Sequence, residues 1–260
     1  MYAFEIERPT SIADAVKALA ADEAQPLGGG QTLIPTLKQR LAMPSVLVSL
    51  SGINEMRGIC TDDTGRLCIG GGTTHGEVAA GAFPGLAGMA AKIGDPAVRN
   101  RGTLGGSLAN NDPSACYPAA ALGLGATIVT DNREIAADDF FQGMFDTALN
   151  DGEIITQVKF PVPVKSGYAK FEQPASRFAL VGVFVAKFDD GARVAVTGAS
   201  ESGVFRWSEA EAALSGDFSA GALEGLNVPA DGMIGDLHGT PEYRAHLVSV
   251  MTKRAIAAAS

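Results

Sequence analysis

Two glycine-rich segments hold the residue types best suited to chemistry in this chain. The first is Leu27-Gly-Gly-Gly-Gln-Thr-Leu-Ile34, set between an extended run and a helical pattern. Glycines there let consecutive N–H groups turn inward and let a ligand's phosphates approach the backbone. The helix that follows adds its positive end. The second is Gly94-Asp-Pro-Ala-Val-Arg-Asn-Arg-Gly-Thr-Leu-Gly-Gly-Ser-Leu-Ala-Asn-Asn-Asp112. It combines another expected backbone nest with the hydroxyls of Thr103 and Ser107, the amides of Asn110 and Asn111, and the cations Arg99 and Arg101. Neither segment matches GxxxxGK[ST], and the first also fails GxGxxG, so neither a P-loop nor a Rossmann fingerprint is present. A single triple glycine after a strand is ordinarily a tight turn. Two such segments in one chain fit a dinucleotide, whose pyrophosphate two backbone nests can clasp without a cationic cluster.

Charge and cysteine usage narrow the classes. The net charge is −9, which argues against nucleic acid, because phosphate neutralisation there needs clustered Lys and Arg. The three cysteines, Cys60, Cys68 and Cys116, form no CxxC pair. They can build neither a disulfide framework nor a four-thiolate iron–sulfur cluster, and a reducing cytoplasm is the expected location. The N-terminus lacks a basic-then-apolar signal pattern, and the longest apolar stretch (118–129) is interrupted by glycine and too short for a bilayer.

Other reactive residue types read as structural. His75, His238 and His246 have no carboxylate or cysteine at metal-ligand spacing. His75 is as well explained by a helix cap with Thr74 as by a place in a cofactor pocket. Asp138 and Asp139 could pair for acid–base work, but acidic residues also belong at a helix N-terminus, which is the preferred reading. Trp207 and Tyr243-Arg244 are assigned to packing or a subunit contact, and no Ser-His-Asp arrangement is supported.

The elements that must position the two glycine segments follow from periodicity and caps. Ser11 and Asp14 open a helix whose apolar residues recur from Ile12 to Ala20. Residues 24–27 are extended, Pro35 starts a helix running to about Leu41, and residues 46–48 form a buried strand. Residues 61–65 turn between two short strands. Thr74 and Glu77 form a capping box for a helix to about Ala82, and another helix starts at Pro84. Phe178 to Phe188 is a strongly apolar strand, residues 189–191 are a hairpin turn, and Arg193 to Ala199 is the return strand. Helical patterns cover 208–214 and the C-terminus from Pro241, capped by Thr240. The expected class is α+β, divided into residues 1–52, 53–163 and 164–260.

Taken in order, these segments resemble the flavin-binding medium subunits of the carbon monoxide dehydrogenase and xanthine dehydrogenase group of molybdenum hydroxylases. The resemblance is carried by Gly28-Gly-Gly-Gln-Thr-Leu33, Ile69-Gly-Gly-Gly-Thr-Thr-His75 and Asp95-Pro-Ala-Val-Arg-Asn-Arg-Gly-Thr-Leu-Gly-Gly-Ser-Leu108. It continues through Asn111-Asp-Pro, Tyr117-Pro-Ala-Ala, Ala137-Asp-Asp-Phe-Phe141, Glu153-Ile-Ile and Lys170-Phe-Glu-Gln-Pro-Ala-Ser176. The Arg-Asn-Arg-Gly run with its following glycine pair is the most specific of these, and the matches span the chain.

The resemblance implies an FAD-binding fold of the vanillyl-alcohol-oxidase-like (PCMH) type, with two subdomains gripping FAD and a C-terminal antiparallel sheet with helices. Gly28, Gly29, Gly30, Gln31, Thr32 and Leu33 correspond to the first FAD loop. Thr103, Gly105, Gly106 and Ser107 correspond to the second. Ile155 falls near a position whose backbone touches the cofactor, and Lys170 matches a lysine near the flavin. Cys116 stands where many relatives carry an aspartate, and a thiol is the weaker hydrogen-bonder. Gln31 stands where some proteins of the wider fold attach flavin through histidine, so FAD is expected to be noncovalent.

The family's complexes carry a molybdenum cofactor in a large subunit and two [2Fe–2S] clusters in a small one. The expected assembly is a dimer of heterotrimers whose flavin passes electrons to a quinone, oxygen or NAD. The alternative is a free-standing FAD-dependent oxidoreductase with its own organic substrate. That enzyme needs a substrate-capping domain, for which residues 164–260 are short. A scaffold subunit without flavin is a third reading, opposed by the two intact glycine loops.

Overall fold

The computed structural model describes residues 1–260 and contains three principal sheets. The first is parallel, with strand β3 (Val46–Ser49) between β1 (Glu5–Glu7) and β2 (Ala24–Leu27). Helix α1 (Ile12–Leu19) packs on it through buried Ala15 and Leu19. Ser11 caps that helix by accepting from the Asp14 N–H at 3.1 Å. The Asp14 carboxylate accepts from the Ser11 hydroxyl rather than returning to the backbone, so the expected box is only half formed. Helix α2 (Leu33–Lys38) follows the first glycine loop and stops three residues before the predicted end.

The second sheet is antiparallel and has five strands in the order β4-β5-β10-β6-β7. These are β4 (Ile59–Thr61), β5 (Leu67–Gly70), β6 (Thr127–Thr130), β7 (Glu134–Ala136) and β10 (Ile155–Phe160). A short ribbon of β8 (Phe141–Gly143) and β9 (Asp146–Thr147) lies between β7 and β10 in sequence. Between β5 and β6 come five helices, α3 (His75–Gly81), α4 (Pro84–Ala91), α5 (Pro96–Arg99), α6 (Leu104–Asn110) and α7 (Cys116–Leu124). Three are capped by side chains: Thr74 and Glu77 form the complete capping box on α3, Asp95 caps α5, and Thr103 caps α6. Each cap satisfies a helix N–H that has no partner in its own turn.

Helix α7 is buried along its whole length, which is why it reads as an apolar stretch rather than an amphipathic one. It joins the second sheet's core to the third sheet, formed by β11 (Lys165–Glu172), β12 (Ala179–Phe188), β13 (Gly191–Ser200) and β14 (Gly203–Arg206). In β12, Phe184 and Ala186 face the core containing α7, while Val181, Val183 and Val185 face the other way. There they meet α9 (Ser208–Gly216) and α10 (Pro241–Ala257), with Trp207 buried among them. A sheet covered on both faces explains the nearly unbroken apolar run of β12.

Arg244 on α10 is buried and donates to the carbonyls of Leu180 and Gly198, each at 2.8 Å, and to Asp236 at 2.7 Å. Asp138, in the short helix α8 (Ala137–Phe140), is held by Arg193 and Arg206. No helix is long and apolar enough to cross a membrane.

Candidate functional site

A cleft of about 780 Å³ lies where the first glycine loop faces the second, and it extends to the start of β10 and the end of β11. This volume is within the ordinary range for a cofactor site. Each residue matched to the family's FAD contacts lines it: Gly28 to Leu33, Thr103, Gly105, Gly106, Ser107, Cys116, Ile155 and Lys170. His238 and His246 are exposed and lie elsewhere.

The two loops differ in what they offer. The N–H groups of Gly28, Gly29, Gly30, Gln31 and Thr32 have no hydrogen-bond acceptor within the chain. Gly30 has φ +71°, a left-handed conformation that glycine adopts without strain and that turns the run. Five consecutive donors without an intrachain partner in a cleft wall are available to an anionic ligand. In the second loop most donors are already used. The Leu104 N–H donates to Thr73 O at 3.0 Å, Gly105 to Gly71 O at 2.8 Å, and Gly106 to the Thr103 hydroxyl at 3.2 Å. The expected second nest is therefore absent as such, because those amides anchor α6 to the end of β5. What this loop presents to the cleft is the Thr103 N–H, the Ser107 hydroxyl and a surface bare of side chains.

The loops meet at Gly28, against the Thr103 hydroxyl, and most closely at Gly29. A Cβ on Gly29 would stand 1.9 Å from the Arg101 carbonyl oxygen, so only glycine lets them approach this closely. The cations flagged in the sequence hold this geometry. Arg99 donates to the carbonyls of Ile93 and Gly94, both at 3.0 Å, and the exposed Arg101 contributes its carbonyl. Asn111 is buried in a left-handed conformation and donates to Gly143 O at 2.7 Å and Asp146 O at 2.8 Å. That amide fixes the β8–β9 ribbon and is unavailable to a ligand, contrary to its place among the candidate binding amides.

At the far end of the cleft, Lys170 donates to Lys92 O at 2.7 Å and to Arg177 O, and lies 3.9 Å from the Cys116 sulfur. Burial pushes the Cys116 thiol pKa up, and Lys170 is the main opposing influence. The thiol is therefore neutral and its neighbour is a lysine already engaged with carbonyls. Ile155 contributes its backbone: a Cβ on Gly71 would come within 2.1 Å of the Ile155 carbonyl oxygen.

His75 is buried at the start of α3, with Nδ1 unpartnered and its ring 5.2 Å from that of Tyr117. Burial, and then Arg99, bring its pKa down to about 4. His75 thus both follows the Thr74 cap and lines the cleft. Among the lining residues the binding prediction did not include are Gly71, Gly72, and Ser176 to Phe178. The three successive glycines 70–72 are the signal that could have found the first two.

The unmatched donors, the glycine cradle and the cleft's dimensions suit a dinucleotide-binding protein. Residues 2–163 match the model of the FAD-binding domain of molybdopterin dehydrogenase. The chain is 33% identical to the carbon monoxide dehydrogenase medium chain of Afipia carboxidovorans, over 97% of this chain and 95% of that one. It is 31% identical to the glyceraldehyde dehydrogenase medium chain of Sulfolobus acidocaldarius, over 97% and 96%. A chain of quinoline 2-oxidoreductase from Pseudomonas putida 86 is similar in structure, with a TM-score of 0.87 and 31% identity over 98% of this chain and 96% of that one. The chain belongs to the FAD-binding family of molybdopterin dehydrogenases and is an oxidoreductase component. The residues of the cleft fit FAD: the free amides suit its pyrophosphate, and the bare loop surfaces admit it closely.

Proposed function

We propose that this chain is the FAD-binding electron-transfer subunit of a heterotrimeric molybdenum hydroxylase. The observation that carries the reading is the run of five unmatched N–H groups, Gly28 to Thr32, facing a second loop that closes on it at Gly29 and Arg101. Those five amides bind the pyrophosphate, with the Thr103 N–H and Ser107 hydroxyl on the opposite side. Gly105 and Gly106 keep that side free of side chains, and Leu33 borders it. Ile155 supplies backbone, while Lys170 and Cys116 form the wall at the far end. Gln31, whose amide donates to Gly29 O at 3.2 Å, has no group to bond FAD covalently, so the cofactor is held noncovalently. Bound there, FAD supplies the redox chemistry, taking electrons from [2Fe–2S] clusters of a partner subunit and releasing them to an external acceptor.

Residues 1–52 and 53–163 serve as the two FAD-binding subdomains and 164–260 as the C-terminal domain, each range holding one principal sheet. The partners are a large molybdenum-cofactor subunit and a small iron–sulfur subunit, in a dimer of heterotrimers in the cytoplasm. Three free cysteines and no His, Cys, Asp or Glu cluster arranged for a metal leave the other centres to those partners. The relatives act, by their names, on carbon monoxide, glyceraldehyde and quinoline. Such dissimilar substrates on one chain architecture support an electron-transfer role, with substrate chosen elsewhere.

Absorption spectra of the chain alone and with its co-purifying partners test this. Flavin bands at about one FAD per chain are expected in both samples, with iron–sulfur absorption and molybdenum only in the second. A yellow chain that runs alone and is reduced directly by an organic substrate would replace this reading with a free-standing enzyme. A chain that takes up no FAD would leave a scaffold.

A further inference from the structure

Two of the three cysteines face each other. In the β4–β5 hairpin, Cys60 and Cys68 are register partners. Ile59, Leu67 and Ile69 point into the large core, so Cys60 and Cys68 share the opposite face of the sheet. The Asp62 N–H donates to Arg66 O, and the Gly70 N–H to Gly58 O, both at 3.0 Å. Counting by two along this ladder makes Cys60 and Cys68 a hydrogen-bonded pair, with Cα atoms about 5.5 Å apart. Disulfides span Cα separations of roughly 4.4–6.8 Å but need Cβ atoms about 3.5–4.5 Å apart, whereas a hydrogen-bonded pair holds them nearer ~5.5 Å. The bond must therefore draw the strands together by about 1 Å and is strained and readily reduced. Cys60 is exposed, whereas Cys68 is 3% exposed and its thiol donates to Arg66 O at 3.8 Å.

We propose that Cys60 and Cys68 form a reversible cross-strand disulfide, with hydrogen peroxide as the oxidant. The Cys60 thiolate attacks one peroxide oxygen, the O–O bond breaks, and the leaving hydroxide takes up a proton to become water. Cys60 is then a sulfenic acid. The Cys68 sulfur, giving its proton to solvent, attacks the Cys60 sulfur; the S–S bond forms, the S–O bond breaks and a second water leaves. Two thiols and one peroxide become one disulfide and two waters.

The difference in exposure sets the order, because oxidant reaches Cys60 first. Burial, and then Asp62, raise the Cys68 thiol pKa, which keeps Cys68 from competing for the oxidant and slows its attack on Cys60. The bond lies beside the cofactor cleft in the fold: β5 ends at Gly70, and Gly71 lines the cleft and accepts from Gly105. A crosslink two residues before Gly70 therefore fixes the strand that carries the cleft's glycines.

The test treats the purified chain, with its co-purifying partners, with a small excess of hydrogen peroxide. It is then alkylated without reductant and mapped by mass spectrometry. The expected result is that two of this chain's three thiols disappear together. A Cys60–Cys68 crosslinked peptide, lighter by two hydrogens, should appear and be cleaved by dithiothreitol. Cys60→Ser, at an exposed position, should retain Cys68 and Cys116 as free thiols. The proposal is overturned if all three thiols survive, if Cys60 over-oxidises while Cys68 stays free, or if Cys60 joins a second chain instead.

Discussion

Replacing Gly29 by alanine should separate FAD binding from folding. The new Cβ would stand 1.9 Å from the Arg101 carbonyl oxygen, and ordinary contact begins near 3.4 Å. The two loops must therefore part by about 1.5 Å. A hydrogen bond made at ~2.9 Å does not survive that displacement. Bonds from amides to a charged group contribute roughly 1.5–3 kcal/mol each, so losing one weakens binding by about 10- to 200-fold. Flavin fluorescence on titrating FAD into the apoprotein measures the affinity, and circular dichroism gives Tm. Gly225→Ala is the control: at φ +80° with open space around it, the added methyl costs about 1 kcal/mol of stability but should leave FAD affinity alone. Gly29→Ala protein that binds FAD within about threefold of the parent would refute the clasp between the loops.

Three further outcomes follow from buried polar groups. The His75 ring proton signals should titrate with a midpoint near 4, because the folded pKa is depressed by burial below the ordinary 6.5. The unfolded chain then takes up the proton first, so this contribution to stability is complete above 6.5 and declines as pH falls toward 4; a midpoint above 6 contradicts the burial. Glu153, with its side chain fully buried, accepts from Thr130 at 2.6 Å, from two Arg133 nitrogens at 3.0 Å and from the Asn150 N–H at 2.8 Å. Arg133 foremost holds its pKa at about 2, so its stabilisation is present above about 4.5 and lost as pH falls through 2. Glu153→Gln should lower stability by roughly 3 kcal/mol at neutral pH and flatten the acid limb of the Tm–pH curve; an unchanged limb assigns that limb to other groups. Asn111→Ala leaves two carbonyls without their donor at a left-handed position, a loss of about 2–4 kcal/mol seen in chemical denaturation. Asn111→Asp should not rescue it, because a carboxylate cannot donate; rescue would show that the amide is not what holds the ribbon.

The sequence alone determined what depends on near neighbours. The caps at Ser11, Thr74 and Thr240, the turn at 189–191 and the double-faced apolar run of β12 all follow from a few adjacent residues, since backbone sterics and orphan helix N–H groups act locally. The two glycine loops were legible because two such segments occur in one chain, whereas Cys116, Ile155 and Lys170 rested on the resemblance to a family. What only the tertiary structure decided was which of those groups remain free. Both glycine loops read as nests, but docking α6 against β5 consumed the second loop's amides and left the first loop's five unmatched. The tertiary structure likewise turned Asn111 from a candidate ligand into a brace, through carbonyls at Gly143 and Asp146. Strand β1, three exposed residues too few for a pattern to mark, exists only because β3 pairs with it, and β10 joins a sheet begun about 95 residues earlier. Pairing across such distances is set by what burial returns once the chain has closed, and no local pattern encodes that.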